Sequence, residues 1–211
     1  MVVLDNDIAP GGYAYLLVNK GGGTLAAVLY RDYRKHEECF QNMLRFFNSR
    51  LEMDIRNEKK FGGFGNFFLW DSQVRHGKIY VGETAGFQDC LWGFGIRYSI
   101  MSGYLAARSV LEGTSYDVLW KNNLGPMLET SLINRFLFEK SGHAGYRYLS
   151  RKLGQGDPCR YLMHHYNRLA IKHMLLPFAR RSFVNRVKDY SCSHENCTCV
   201  WCQCERPSVT L

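Results

Sequence analysis

Residues Val81 to Leu111, VGETAGFQDCLWGFGIRYSIMSGYLAARSVL, restrict the fold more than any other part of the chain. Lys78-Ile79-Tyr80-Val81 reads as a buried strand, which ends at Gly82 with an acid, Glu83, beside the turn. A glycine-rich loop, Gly86 to Gly95, leads into a helix whose apolar residues Ile96, Ile100, Tyr104, Leu105 and Val110 keep helical spacing. Between them stand Ser99, Ser102, Gly103, Ala106 and Ala107, small enough to admit a second backbone or a flat ligand. Gly93 and Gly95, just before the helix, leave its first N–H groups uncovered. Such groups carry partial positive charge and suit a phosphate or the electron-rich edge of a ring system. A strand, an acid, a glycine loop and a helix in this order can cradle a nucleotide cofactor. The same spacing also serves an ordinary βα turn, where glycine is needed for tight geometry.

Three linked blocks carry a more specific signal. Gly82-Glu83-Thr84-Ala85-Gly86-Phe87, then Trp92-Gly93-Phe94-Gly95-Ile96, then Ser102-Gly103-Tyr104-Leu105-Ala106-Ala107 resemble the second FAD-binding motif of the geranylgeranyl reductase family, flavin oxidoreductases with the hydroxybenzoate-hydroxylase-like fold. The resemblance implies FAD as cofactor, with Gly82, Glu83, Gly86, Gly93, Phe94, Gly95 and Ile96 as its contacts. It also implies hydride delivery from reduced flavin to a carbon–carbon double bond of an isoprenoid or similar apolar substrate. In the family the acid after the first glycine bonds the ribityl chain, and Glu83 is the matching residue, one methylene longer than the usual Asp. Cys90 stands where the family often has Pro, which loosens the loop. Phe94 stands where it often has an acid, which removes a charge near the flavin ring.

The resemblance extends upstream, to Pro10 through Tyr15. Tyr13 and Tyr15 match aromatics of the family's substrate-domain sheet near the flavin; the plainer expectation is two sheet tyrosines packing one face. Tyr13 to Val18 and Thr24 to Tyr30, separated by the turn chemistry of Asn19 to Gly23, read as a hairpin. Lys35 to Leu51 reads as an amphipathic helix with Phe40, Met43, Leu44, Phe47 and Leu51 inward, and His36 as a surface histidine. Phe61 to Trp70 alternates glycines with aromatics, the pattern of an edge strand or of a strand that a ligand approaches closely.

Beyond the motif, Glu112-Gly113-Thr114 stops one helix and Ser115-Tyr116-Asp117 starts another. An apolar stripe from Leu119 to Phe138, interrupted at Gly125-Pro126, is first of all core. Asp157-Pro158 reads as a cap and first-turn proline. The fold class expected is α+β: residues 1–75 a partial substrate-domain sheet and helix, 76–113 the strand–loop–helix FAD unit, 114–190 a basic helical region, 191–211 a Cys-rich tail. A strand–GxGxxG–helix unit for the pyrophosphate, with which such FAD enzymes open, is not found in residues 1–60. That leads to the expectation of a C-terminal portion, whether a fragment, a split gene product or a chain read from an internal start; a non-catalytic remnant that pairs with a separate FAD-domain chain is an alternative.

The 211 residues carry a formal charge of +8, which favours an acidic partner: phosphates, anionic lipid or nucleic acid. FAD is itself a polyanion. Basic amphipathic helices between Arg135 and Lys188 suit peripheral contact with an anionic membrane surface. No apolar segment has the length to span a bilayer and no signal peptide is visible, so a cytoplasmic location is expected. Five of the eight cysteines, Cys192, Cys197, Cys199, Cys202 and Cys204, crowd the tail. Thiolates at such spacings close a tetrahedral zinc site or hold an iron–sulfur cluster; redox thiols, or no ordered function, are the alternatives. A basic metal-binding module that contacts nucleic acid is the rival to the flavin reading. Charge spread over long helices, with no completed finger spacing, counts against it.

Overall fold

The computed structural model describes residues 1–63, 65, 72–166 and 173–184. They form an α+β protein. Strands β1 (Val2–Val3), β2 (Tyr13–Asn19) and β3 (Gly22–Val28) make one antiparallel sheet in that order; β4 (Val74–Arg75) and β5 (Lys78–Ile79) make a second, two-stranded one. The helices are α1 (His36–Asn48), α2 (Ile96–Glu112), α3 (Tyr116–Asn123), α4 (Gly125–Gln155), α5 (Pro158–Tyr166) and α6 (Leu176–Val184).

The chain divides into two compact units. The first comprises Met1–Gly62 and Ser141–Gly156. Its hairpin pairs Tyr13 with Val28 and Asn19 with Gly22, leaving a two-residue turn at Lys20 and Gly21. Both turn residues have positive φ, 49° and 79°, the mirror-image turn whose twist suits a hairpin. A 3-10 turn, Tyr33–Lys35, precedes α1. The helix buries Cys39, Met43 and Phe47, the last two as expected and packed against Ile8 and Ala14 with Leu16, Leu25 and Ala27 alongside, whereas Leu51, expected inward, lies past the helix end and is exposed. His36 is exposed, as expected.

The second unit comprises Gly63–Lys140 and Asp157–Leu211. Its main core joins Ala85, Phe87, Tyr98, Leu105, Tyr116, Trp120, Leu124 and Leu128. The heavy stripe of the sequence is therefore core: Trp120, Leu124, Leu128, Leu132, Ile133 and Phe138 are all buried. Pro126 falls in the first turn of α4, where its missing N–H costs nothing. That helix breaks at Gly142, whose φ of 51° and ψ of −146° are not helical. The Ser115 cap of α3 lacks a side-chain hydrogen bond. Asp117, in the first turn, instead ties α3 to Ser72 and Gln73, accepting from Ser72 Oγ (2.6 Å) and Gln73 N–H (2.8 Å) as well as from the Trp120 indole N–H (2.7 Å). Asp157 caps α5 as expected, its Oδ1 accepting from the Cys159 and Arg160 amides.

Most of the glycine–aromatic run, Phe64 and Asn66 to Trp70, lies outside the described residues, as do the tail cysteines Cys192, Cys197, Cys199, Cys202 and Cys204. Among the described residues no helix is long and apolar enough to cross a membrane.

Candidate functional site

The site is built where the chain passes from β5 into α2. The strand is shorter than its sequence suggests, covering only Lys78–Ile79. A single 3-10 turn, Gly82–Ala85, follows, closed by Gly86 at φ 72°. Gly82 has φ 56°, and a Cβ there would lie 2.7 Å from Ser99 Oγ. Its N–H donates to Ser102 Oγ at 2.9 Å. The small residues of α2 thus have a defined use: Ser99 and Ser102 let the chain's own turn press against the helix. Glu83, on the outer side of this turn, is exposed.

The loop to α2 is organised by Asp89. Its Oδ1 accepts from the Leu91 and Trp92 amides at 3.0 and 2.7 Å. Its own N–H donates to Phe94 O, and its carbonyl accepts from Gly93 N–H. Its Oδ2 accepts from Tyr166 Oη at 2.6 Å. Burial pushes the Asp89 carboxyl above its ordinary range, against the hydrogen bonds of Tyr166 and the two amides. Burial, and then the neighbouring Asp89 carboxylate, push the Tyr98 and Tyr166 phenols up, so both remain neutral and Tyr166 keeps the proton it donates to Asp89. Burial also raises the Cys90 thiol to about 12, which leaves it protonated and unreactive.

Gly95 caps α2 and offers no side chain to its first turn. The leading N–H groups, of Ile96, Arg97 and Tyr98, have no partner within the helix. In front of them lies a cleft of roughly 680 Å³, lined by Gly93, Phe94, Gly95, Ile96 and Arg97, with Ile100 and Met101 one turn on. Four of the seven expected cofactor residues, Gly93, Phe94, Gly95 and Ile96, come together here. Gly82, Glu83 and Gly86 do not line the cleft. Gly82 meets α2 at Ser99 and Ser102, which by helix geometry lie about 5–9 Å along the axis from Ile96. Phe94 and Ile96 are exposed, 64% and 80%. The lining fits a flat ligand with an apolar face: Phe94, Ile96, Ile100 and Met101 are apolar, and Arg97 is the one cation among them, beside the uncapped start of α2.

The chain is similar to an archaeal reductase. It is 24% identical to digeranylgeranylglycerophospholipid reductase of Haloferax volcanii over 176 residues, 72% of this chain and 43% of that protein. The chain thus spans under half the length of that curated relative. No protein-family profile matches it. No solved structure matches it either.

Tyr13 and Tyr15 belong to the first unit, where their rings stack with centroids 6.0 Å apart. Tyr13 is buried, 6% exposed, as a tyrosine packing a sheet face would be, and Tyr15 is half-buried. Among the described residues no group of three or more His, Cys, Asp or Glu is placed to hold a metal ion. Two residues escaped the sequence reading. Arg97 sits directly after the glycine block, where a cation among helix-start amides could have been noticed. Asp89 precedes two amides at the spacing of an Asx turn, a signal visible in the sequence.

Proposed function

We propose that this chain contributes the flavin-facing part of an FAD-dependent reductase of the geranylgeranyl reductase type. The observation that carries the reading is the cleft at the uncapped start of α2, lined by the same Gly93-Phe94-Gly95-Ile96 block that the cofactor motif picks out. When bound, FAD supplies the hydride chemistry, addition to a carbon–carbon double bond of an isoprenoid or other apolar substrate. The protein's work is to bind, orient and exclude water. The amides of Ile96 and Arg97 and the Arg97 guanidinium would hold the electron-rich edge of the flavin ring. Glu83 would accept hydrogen bonds from ribityl hydroxyls. Phe94, Ile96, Ile100 and Met101 offer an apolar wall to a substrate that carries few polar groups. No side chain is assigned to proton transfer.

In a second reading, the unit acts with a separate nucleotide-binding chain. Gel filtration of the purified chain after incubation with FAD separates these readings. Flavin absorbance co-eluting with the protein supports the first. Flavin retained only when a nucleotide-binding chain is added supports the second, and flavin retained under neither condition overturns both. In the flavin-bound protein, Glu83→Ala is expected to lose cofactor on dialysis without loss of stability, since Glu83 is exposed; unchanged flavin content removes the ribityl role.

A further inference from the structure

We infer that Asp89 is a positioning residue for the opening of α2, and that Tyr166 bolts it in place, so that α5 governs how firmly the cleft holds its ligand. The inference rests on the flavin reading above. Asp89 is 4% exposed and makes five hydrogen bonds, four of them to residues Leu91, Trp92, Gly93 and Phe94. Those bonds fix the segment that ends at Gly95, the cap of the helix. The Gly93 and Phe94 bonds use the Asp89 backbone, and the carboxylate holds the Leu91 and Trp92 amides that lie between them.

The fifth bond comes from far away in sequence. Tyr166 Oη donates to Oδ2 at 2.6 Å across 77 residues. Tyr166 closes α5, and α5 is held in its turn by the Asn134 side-chain amide donating to His165 O at 3.2 Å. The loop has one more anchor, Cys90 N–H donating to Ser131 Oγ of α4 at 3.1 Å. Removing the Tyr166 hydroxyl leaves a buried carboxylate oxygen short of a donor, which is costly. The carboxylate then turns toward water, and the Leu91 and Trp92 amides lose their shared acceptor. Gly93 and Phe94, the next residues along, form one wall of the cleft. A change at α5 is thereby felt at the ligand without any contact between the two.

The test uses the full chain and three variants. Tyr166→Phe removes one oxygen and keeps the ring. Asp89→Asn keeps an oxygen that accepts from both amides, and Asp89→Ala keeps none. Tyr166→Phe is expected to speed hydrogen exchange at Leu91 and Trp92 roughly tenfold, and to raise the Kd for FAD by a similar factor, the scale of one charge-assisted hydrogen bond. Asp89→Asn is expected to stay within about threefold of wild type in FAD affinity while Asp89→Ala loses tenfold or more, on the same scale. Unchanged exchange at Leu91 and Trp92 in Tyr166→Phe overturns the bolt. So does faster exchange at Leu105 of the core in equal measure, which marks a residue of general stability. Unchanged FAD affinity despite a loosened loop overturns the link to the site. If wild type binds no FAD, the flavin reading fails by itself, while the bolt is still judged by amide exchange.

Discussion

Gly82 is where the site is most sensitive to a single atom. Its φ of 56° is unfavourable for any residue with a side chain, and a Cβ would sit 2.7 Å from Ser99 Oγ. Gly82→Ala is expected to cost about 1–3 kcal/mol, read as a lower midpoint in chemical denaturation. An unchanged midpoint would show that the turn relaxes freely and does not anchor Glu83. Two buried or half-buried carboxyls give opposite pH signatures. Burial pushes Asp117 up, but Ser72, the Gln73 amide and the Trp120 indole outweigh it and hold the carboxyl below its ordinary value. Its contribution is full above the unfolded value, about 3.9, and is lost as pH falls through the lowered folded value. Asp89 is raised by burial, so the native state binds its proton more tightly. It withdraws stability as pH rises from the ordinary value through the raised one. Asp117→Ala is expected to flatten the acid-side fall in stability measured by denaturation between pH 2 and 5, and an acid limb as steep as in wild type would contradict that assignment.

Helix α2 shows at the level of an element what the sequence discloses and what it does not. The apolar spacing of Ile96, Ile100, Tyr104 and Val110 announces a helix, and a helix is there. Yet those residues are 63–80% exposed, and the buried face carries Tyr98, Ser102, Leu105 and Ser109. Periodicity gives the period of a helix and leaves its rotation open. Here the rotation is set by backbone approach: Ser102 accepts the Gly82 N–H, and Ser109 Oγ donates to Thr114 O past the helix end. Ser102→Val is therefore expected to destabilise by about 1–3 kcal/mol, leaving the buried Gly82 N–H without its acceptor. Ile100→Gln and Leu111→Gln are expected to stay within about 0.5 kcal/mol of wild type. The reverse order in thermal denaturation would restore the apolar face as the core face. The hairpin and α1 were easier to read. Their signals, a two-residue turn with glycine and a stripe of Phe40, Met43 and Phe47, are local and need no partner to interpret.

For the molecule as a whole, the fold class and the central loop–helix unit were legible, because glycine punctuation and an apolar stripe are written in the chain itself. The Asp89–Tyr166 bond was not, since it joins residues 77 apart and depends on how α5 returns to the loop. Arg97 was overlooked because a lone cation after Ile96 carries no period. The motif divides in two: Gly93 to Ile96 line the cleft, while Glu83 sits on the neighbouring turn, whose Gly82 is tied to Ser102 of α2. The most direct test is hydrogen exchange of the whole chain with and without saturating FAD. The account predicts that FAD slows exchange at the Ile96, Arg97 and Tyr98 amides, the uncapped start of α2, and leaves the hairpin turn at Lys20 and Gly21 unchanged. Exchange at those three amides that is indifferent to FAD would contradict it.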